Sequence, residues 1–82
     1  MIEIIVNSRS KKSLIELQKI ERVLNEKKLS YRVLKTSKNK NAEDLMNEIH
    51  GGELIVIGGD GTINEVINNY HGKEIIYLAY GS

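Results

Sequence analysis

The sequence predicts an α/β fold, an open parallel sheet with helices on its faces, three layers in the order βαβαβαβ. Three observations carry the prediction. Four short runs rich in Ile, Leu and Val are spaced along the chain, three segments of helical apolar period lie between them, and the connections are only a few residues long. Strand, helix and next strand in that rhythm require parallel pairing with right-handed crossovers.

The first run, Ile2-Glu3-Ile4-Ile5-Val6, is β-branched and short, and the polar cluster Asn7-Ser8-Arg9-Ser10 follows it. This is the pattern of a buried strand entering a loop. Ser13-Leu14-Ile15-Glu16 has the Ser-x-x-Glu form of a capping box, and Leu14, Leu17, Ile20 and Leu24 recur at about helical spacing, which predicts a helix from about Ser13 to Lys28. Tyr31-Arg32-Val33-Leu34 is the second strand, closed by the polar loop from Thr36 to Asn41. Asn41 can cap a second helix whose apolar residues Ala42, Leu45, Met46 and Ile49 fall at i, i+3, i+4 and i+7, and Gly51-Gly52 stops it. Leu54-Ile55-Val56-Ile57 is the third strand. Beyond Gly58-Gly59-Asp60-Gly61-Thr62, the residues Ile63, Val66, Ile67 and Tyr70 repeat the same helical face, and Gly72 closes that helix. Glu74 to Ala79 form the fourth strand, after which the sequence reads Tyr80-Gly81-Ser82. A βα fold that ends on a strand is expected to be truncated.

Composition narrows the function classes. Residues 1–82 make one domain, with a formal charge of +1 that gives no bulk attraction for nucleic acid. The chain has no Cys, which excludes disulfides and thiolate metal sites and fits a reducing, cytoplasmic setting. No apolar run is long enough to predict a transmembrane segment.

Ligands of open parallel sheets bind at the carboxyl ends of the strands. Four loops should meet there: Asn7 to Lys12, Thr36 to Asn41, Gly58 to Thr62, and Tyr80 to Ser82. The third is the richest in chemistry. Its glycines allow positive φ and close approach to an anion, and the following helix start adds unpaired N–H groups and about half a positive charge. Phosphate is the natural ligand. Asp60 beside a phosphate calls for a cation between them or a proton to be moved, which makes it a candidate for magnesium contact and for catalysis. Thr62-Ile63-Asn64-Glu65 also has the form of a capping box, so Thr62 and Glu65 have a structural reading next to the functional one. Spelling sets aside two better-known loops, since Asn64 stands where a dinucleotide fingerprint needs Gly or Ala, and no Gly-Lys-Ser/Thr occurs. His50 and His71 follow helices and read as exposed, not catalytic. Lys35, Lys38 and Lys40 read as a solvated basic loop, and Arg9, Lys11 and Lys12 lie on the ligand edge.

Val56-Ile57-Gly58-Gly59-Asp60-Gly61-Thr62-Ile63-Asn64-Glu65-Val66 closely resembles the signature of the diacylglycerol kinase catalytic domain, a family shared with sphingosine kinases and bacterial YegS-type lipid kinases. NAD kinases carry a related glycine-aspartate loop, but Asn64-Glu65-Val66 is the lipid-kinase continuation. Two weaker matches support it. Asn7-Ser8-Arg9-Ser10-Lys11 stands where the family has Asn-Pro-x-Ser-Gly, and Ala79-Tyr80-Gly81-Ser82 stands where it has Pro-x-Gly-Thr/Ser.

The resemblance implies a Rossmann-like, N-terminal nucleotide-binding domain of a lipid kinase, transferring the γ-phosphoryl of ATP to a lipid hydroxyl with Mg²⁺. It implies that Gly58, Gly59, Asp60, Gly61, Thr62, Ile63 and Asn64 bind ATP, with Thr36 and Ser82 as further nucleotide contacts and Asn7 ordering the first loop or meeting the nucleotide. The family's second domain supplies the lipid-facing surface, so the chain alone is expected to be inactive, and peripheral membrane contact belongs to the full protein. Two other readings stand beside this one: an NAD-kinase-like phosphotransferase, and a non-catalytic βα module that self-associates into a homo-oligomer through an exposed sheet edge at Ile75 to Tyr80.

Overall fold

The computed structural model describes residues 1–80, Tyr80 by its backbone alone. The elements run β1 (Ile2–Val6), α1 (Lys11–Glu26), β2 (Tyr31–Lys35), α2 (Ala42–Met46), β3 (Gly52–Gly58), α3 (Asp60–Asn68) and β4 (Glu74–Tyr80). All pairings are parallel and the sheet order is β2-β1-β3-β4. Registers run from Ile2 opposite Tyr31 on one side of β1, and from Glu3 opposite Leu54 on the other. The expected open parallel α/β sheet is therefore the observed one.

Alternation along the strands distributes the core between two faces. Ile5, Leu54 and Val56 pack with Ala42, Leu45, Met46, Ile63 and Val66, which places α2 and α3 on one face. Ile4, Val6 and Ile57 pack with Leu17 and Leu24, which places α1 on the other. Ile4, Ile5, Val6, Val56 and Ile57 have no exposed surface. Burying one such side chain contributes about 1.5–3 kcal/mol over leaving it in water, so the central strands β1 and β3 dominate stability.

The helix ends depart from the sequence expectation in informative ways. α1 begins at Lys11 with Ser10, not Ser13, as its cap: Ser10 is extended and its hydroxyl accepts from Ser13 N at 3.1 Å. Ser13 is instead fully buried in the first turn. The far end of α1 closes with Lys28 N–H donating to Asn25 O at 3.1 Å and Leu29 N–H to Leu24 O at 2.9 Å, which puts Lys28 at φ 56°. This is a Schellman closure with a lysine where glycine is usual. α2 is capped by Asn41 as expected, with Asp44 completing a capping box, but it ends at Met46 rather than running to Gly51. The reason lies in an ion pair whose carboxylate is buried. Glu3, 2% exposed, is held by Arg32 Nη2 at 2.6 Å, and its second oxygen accepts from His50 N at 2.8 Å. Arg32 also donates to the Glu48 carbonyl at 2.7 Å, so these backbone groups are drawn out of the helical ladder.

α3 buries Ile63 and Val66, but Ile67 and Tyr70 are about half exposed at 50% and 47%, so the predicted four-residue face is only half covered. The edge strand β4 offers too little surface to cover them, and Ile75, Tyr77 and Leu78 are themselves exposed. Glu74 anchors the start of β4. Burial pushes its carboxyl up, but its own backbone N–H, the His71 ring at 2.9 Å and the Lys73 N–H outweigh that and hold it below the usual carboxylate range.

Candidate functional site

β1 pairs with β2 on one side and β3 on the other, and the chains leaving β1 and β3 turn to opposite faces, one into α1 and one into α3. A crevice must open between the two departing loops, the usual ligand position in such sheets. The backbone seals its floor: Asn7 N–H donates to Ile57 O at 2.9 Å, and Thr36 N–H to Val6 O at 3.0 Å.

Asn7 and Thr36, separated in sequence, meet here. Thr36 Oγ1 accepts from Ser8 N at 3.1 Å and donates to Asn7 Oδ1 at 3.4 Å, while Asn7 Oδ1 also accepts from Arg9 N at 3.0 Å. Ser8 Oγ donates to the Thr36 carbonyl. The first loop is thus tied to the second by side-chain bonds. The Ser37–Lys40 stretch, expected as an open loop, is a tight turn closed by Ser37 N to Lys40 O at 2.7 Å. Lys40 is engaged by Glu48 at 2.7 Å, whereas Lys38 lines the cleft.

The cleft measures about 270 Å³ and is walled by Asn7, Arg9, Thr36, Lys38, Thr62 and Glu65, with Asn41 and Ala42 behind. Of the glycine segment, Thr62 lines this cleft. Gly58 ends β3 and Gly59 is the extended N-cap of α3, at φ −88° and ψ −168°. Neither these nor Gly61 adopts positive φ, so the expected left-handed role falls away. Close approach remains. A Cβ on Gly58 would lie 2.7 Å from Thr62 Cβ, so this glycine lets Thr62 fold back over the strand end. At Gly61 a Cβ would meet nothing within 4 Å, leaving the backbone there open from outside.

α3 starts at Asp60, two residues ahead of Thr62, so Thr62 is not its cap. No side chain among the described residues caps this helix. The first intrahelical donor is Ile63 N, bonded to Gly59 O at 3.1 Å, which leaves the N–H groups of Asp60, Gly61 and Thr62 for an outside acceptor. Asp60 and Asn64 are exposed, Ile63 turns its side chain into the core, and Ser82 lies outside the described residues.

Glu65 was the residue least legible from its neighbours. In place of a box with Thr62, its Oε2 accepts from Ala42 N at 3.0 Å and Glu43 N at 3.4 Å, bridging α3 to the start of α2. Only the knowledge that both helices share one face of the sheet would have suggested it.

The chemistry available is anion binding at an open helix start, with cations on one wall and one exposed carboxylate beside it. Among the described residues no three or more His, Cys, Asp or Glu side chains form a metal cluster. No helix among them is long and apolar enough to cross a membrane. No curated protein and no solved structure gives a match to the chain. The family model described as diacylglycerol kinase catalytic domain matches residues 2–80. With that match running from the first strand through the last, the chain belongs to the diacylglycerol kinase catalytic domain family, one of lipid-kinase-type phosphotransferases.

Proposed function

We propose that this chain is the nucleotide-binding part of an ATP-dependent lipid kinase, with the diphosphate end of the nucleotide at Gly58 to Thr62 and the nucleoside in the adjoining cleft. The observation that carries the reading is the uncapped start of α3 directly behind Gly58-Gly59, at the crevice between β1 and β3. Three N–H groups and the helix dipole converge there on one position, which favours a phosphate oxygen. Arg9 and Lys38 among the lining residues add positive charge, and Asn7 and Thr36 tie the first two loops together. Asn64 and the Ile63 backbone complete the segment, and Ser82 is proposed as a further nucleotide contact by family resemblance.

Family kinases generally use ATP and a divalent metal. Magnesium is commonly bound through one or two carboxylates together with substrate phosphates, so the lone exposed Asp60 beside the phosphate position fits it. When bound, it screens the phosphate charges. In the transfer, a lipid hydroxyl oxygen forms a bond to the γ-phosphorus as the bond to the β–γ bridging oxygen breaks, and the hydroxyl proton passes to a carboxylate. In bacterial members of the family that carboxylate belongs to the second domain, and Asp60 is the candidate catalytic residue of this chain. Because the one carboxylate lining the cleft, Glu65, is already engaged and Asp60 stands apart at the helix start, the chain by itself should bind nucleotide without phosphorylating lipid. The apolar edge at Ile75, Tyr77 and Leu78 is proposed to support self-association.

The test is an NMR titration of the chain with Mg-ADP, beside an Asp60→Ala variant, following the amides of Gly58, Gly59 and Gly61. Saturable shifts centred on those residues, weakened in the variant or by removing magnesium, are expected. A folded chain that shows no shift at millimolar nucleotide would rule the site out.

A further inference from the structure

The cleft holds several hydrogen-bond acceptors, and most of them are already in use. Asn7 Oδ1 accepts from Arg9 N and from Thr36 Oγ1, and Thr36 Oγ1 accepts from Ser8 N. Asn41 Oδ1 accepts from Asp44 N at 2.9 Å. Arg9 and Lys38 offer donors only. Thr62 Oγ1 and Glu65 remain, and of the two only Glu65 is charged and anchored from another helix. Its Oε2 holds the two α2 amides, and its Oε1 has no hydrogen bond among the described residues.

Position adds to this. Thr62 and Glu65 stand three residues apart on one helix and both line the cleft. Glu65 lies five residues beyond Asp60, about 7.5 Å further along the axis from the open helix start at 1.5 Å per residue. A phosphate on that start therefore puts the next unit of a nucleotide, its sugar, level with Glu65. A carboxylate oxygen accepting from ribose hydroxyls is a recurrent way for a parallel α/β sheet to read a sugar.

Resting on the proposed nucleotide site, we infer that Glu65 is a specificity-determining residue whose free oxygen accepts from a ribose hydroxyl, so that the site selects ribonucleotides over their deoxy counterparts. The same side chain fixes the wall it reads from: the bonds to Ala42 and Glu43 hold α2 against α3, so the acceptor is set in place before the ligand arrives.

The experiment compares Mg-ADP with Mg-2′-deoxy-ADP, Mg-3′-deoxy-ADP and Mg-2′,3′-dideoxy-ADP on the unmodified chain by calorimetry, and then on Glu65→Gln and Glu65→Ala. Expected is about tenfold weaker binding of at least one deoxy analogue by the unmodified chain, the size of one hydrogen bond to a charged group. Glu65→Gln gives its one oxygen to the α2 amides and turns an NH2 donor to the sugar, so it should lose most of the discrimination while keeping the wall, whereas a folded Glu65→Ala should bind all four ligands alike. Equal affinities in the unmodified chain overturn the inference while leaving the nucleotide site standing. Failure to bind any of the four overturns both. The variants are read only where their amide spectra match the folded chain, and a folded Glu65→Ala that still discriminates overturns the assignment to Glu65.

Discussion

Gly58 and Gly61 stand in the same short segment and make opposite demands. A methyl at Gly58 must displace Thr62, whose Cβ would lie 2.7 Å away, and nothing flexible lies between them. Gly58→Ala is expected to lose about 1–3 kcal/mol of stability, read from the urea midpoint. A methyl at Gly61 meets open space inside a helix, so Gly61→Ala should be neutral or gain about 0.5–1 kcal/mol. It should nonetheless weaken Mg-ADP binding, because the added atom stands where a phosphate would approach. A stabilised variant with impaired binding would separate the glycine that serves packing from the glycine that serves a ligand. The segment was legible as a glycine turn between a buried strand and a helix start, and Asn7 and Thr36 were legible as strand-end residues. Their mutual bonding was not, because contacts between residues far apart in sequence leave no local trace. Glu65 shows the same limit, as its partners Ala42 and Glu43 belong to another helix.

Helices and strands were legible where their signals are periodic, and less so where helices end. The Ser-x-x-Glu spelling pointed to Ser13 as the cap of α1, three residues later than the observed Ser10. The extended backbone at Ser10 marks it as the cap, and Ser10→Ala should cost about 1 kcal/mol. At the other end of α1, Lys28 occupies a left-handed conformation that glycine adopts without strain. Lys28→Gly is therefore expected to raise stability, by up to about 1 kcal/mol, in the same denaturation assay. α2 was expected to be longer because its apolar spacing continues to Ile49, but the Glu3–Arg32 pair claims the backbone at Glu48 and His50. The entrance to β4 carries a pH dependence. The Glu74 carboxyl is held below its unfolded value, so its contribution is complete above the ordinary carboxylate range and is lost as pH falls through the folded value. Urea midpoints measured from pH 7 downward should fall less steeply for Glu74→Gln than for the unmodified chain. Tyr31 works at the other end of the scale. Its hydroxyl donates to Glu21 at 2.9 Å and this bond raises its pKa, so that contribution is present below about pH 10 and is lost as pH rises through the folded value.

At the scale of the whole molecule, apolar side chains are well covered over β1 and β3 and poorly covered at β4. Ile75 at 60%, Tyr77 at 50% and Leu78 at 44% exposure form an edge that charge would blunt. Tyr77→Lys is expected to reduce concentration-dependent association in sedimentation velocity, with the amide spectrum of the core unchanged. The parallel order itself has a kinetic corollary. Val6 pairs with Ile57 across most of the chain, and the crevice exists only after that late, non-local closure has been made. With the proposed nucleotide site, no partly formed sheet offers the ligand its place. A nucleotide should therefore act as a brake on unfolding and leave the refolding rate untouched, holding the finished sheet shut without helping to assemble it.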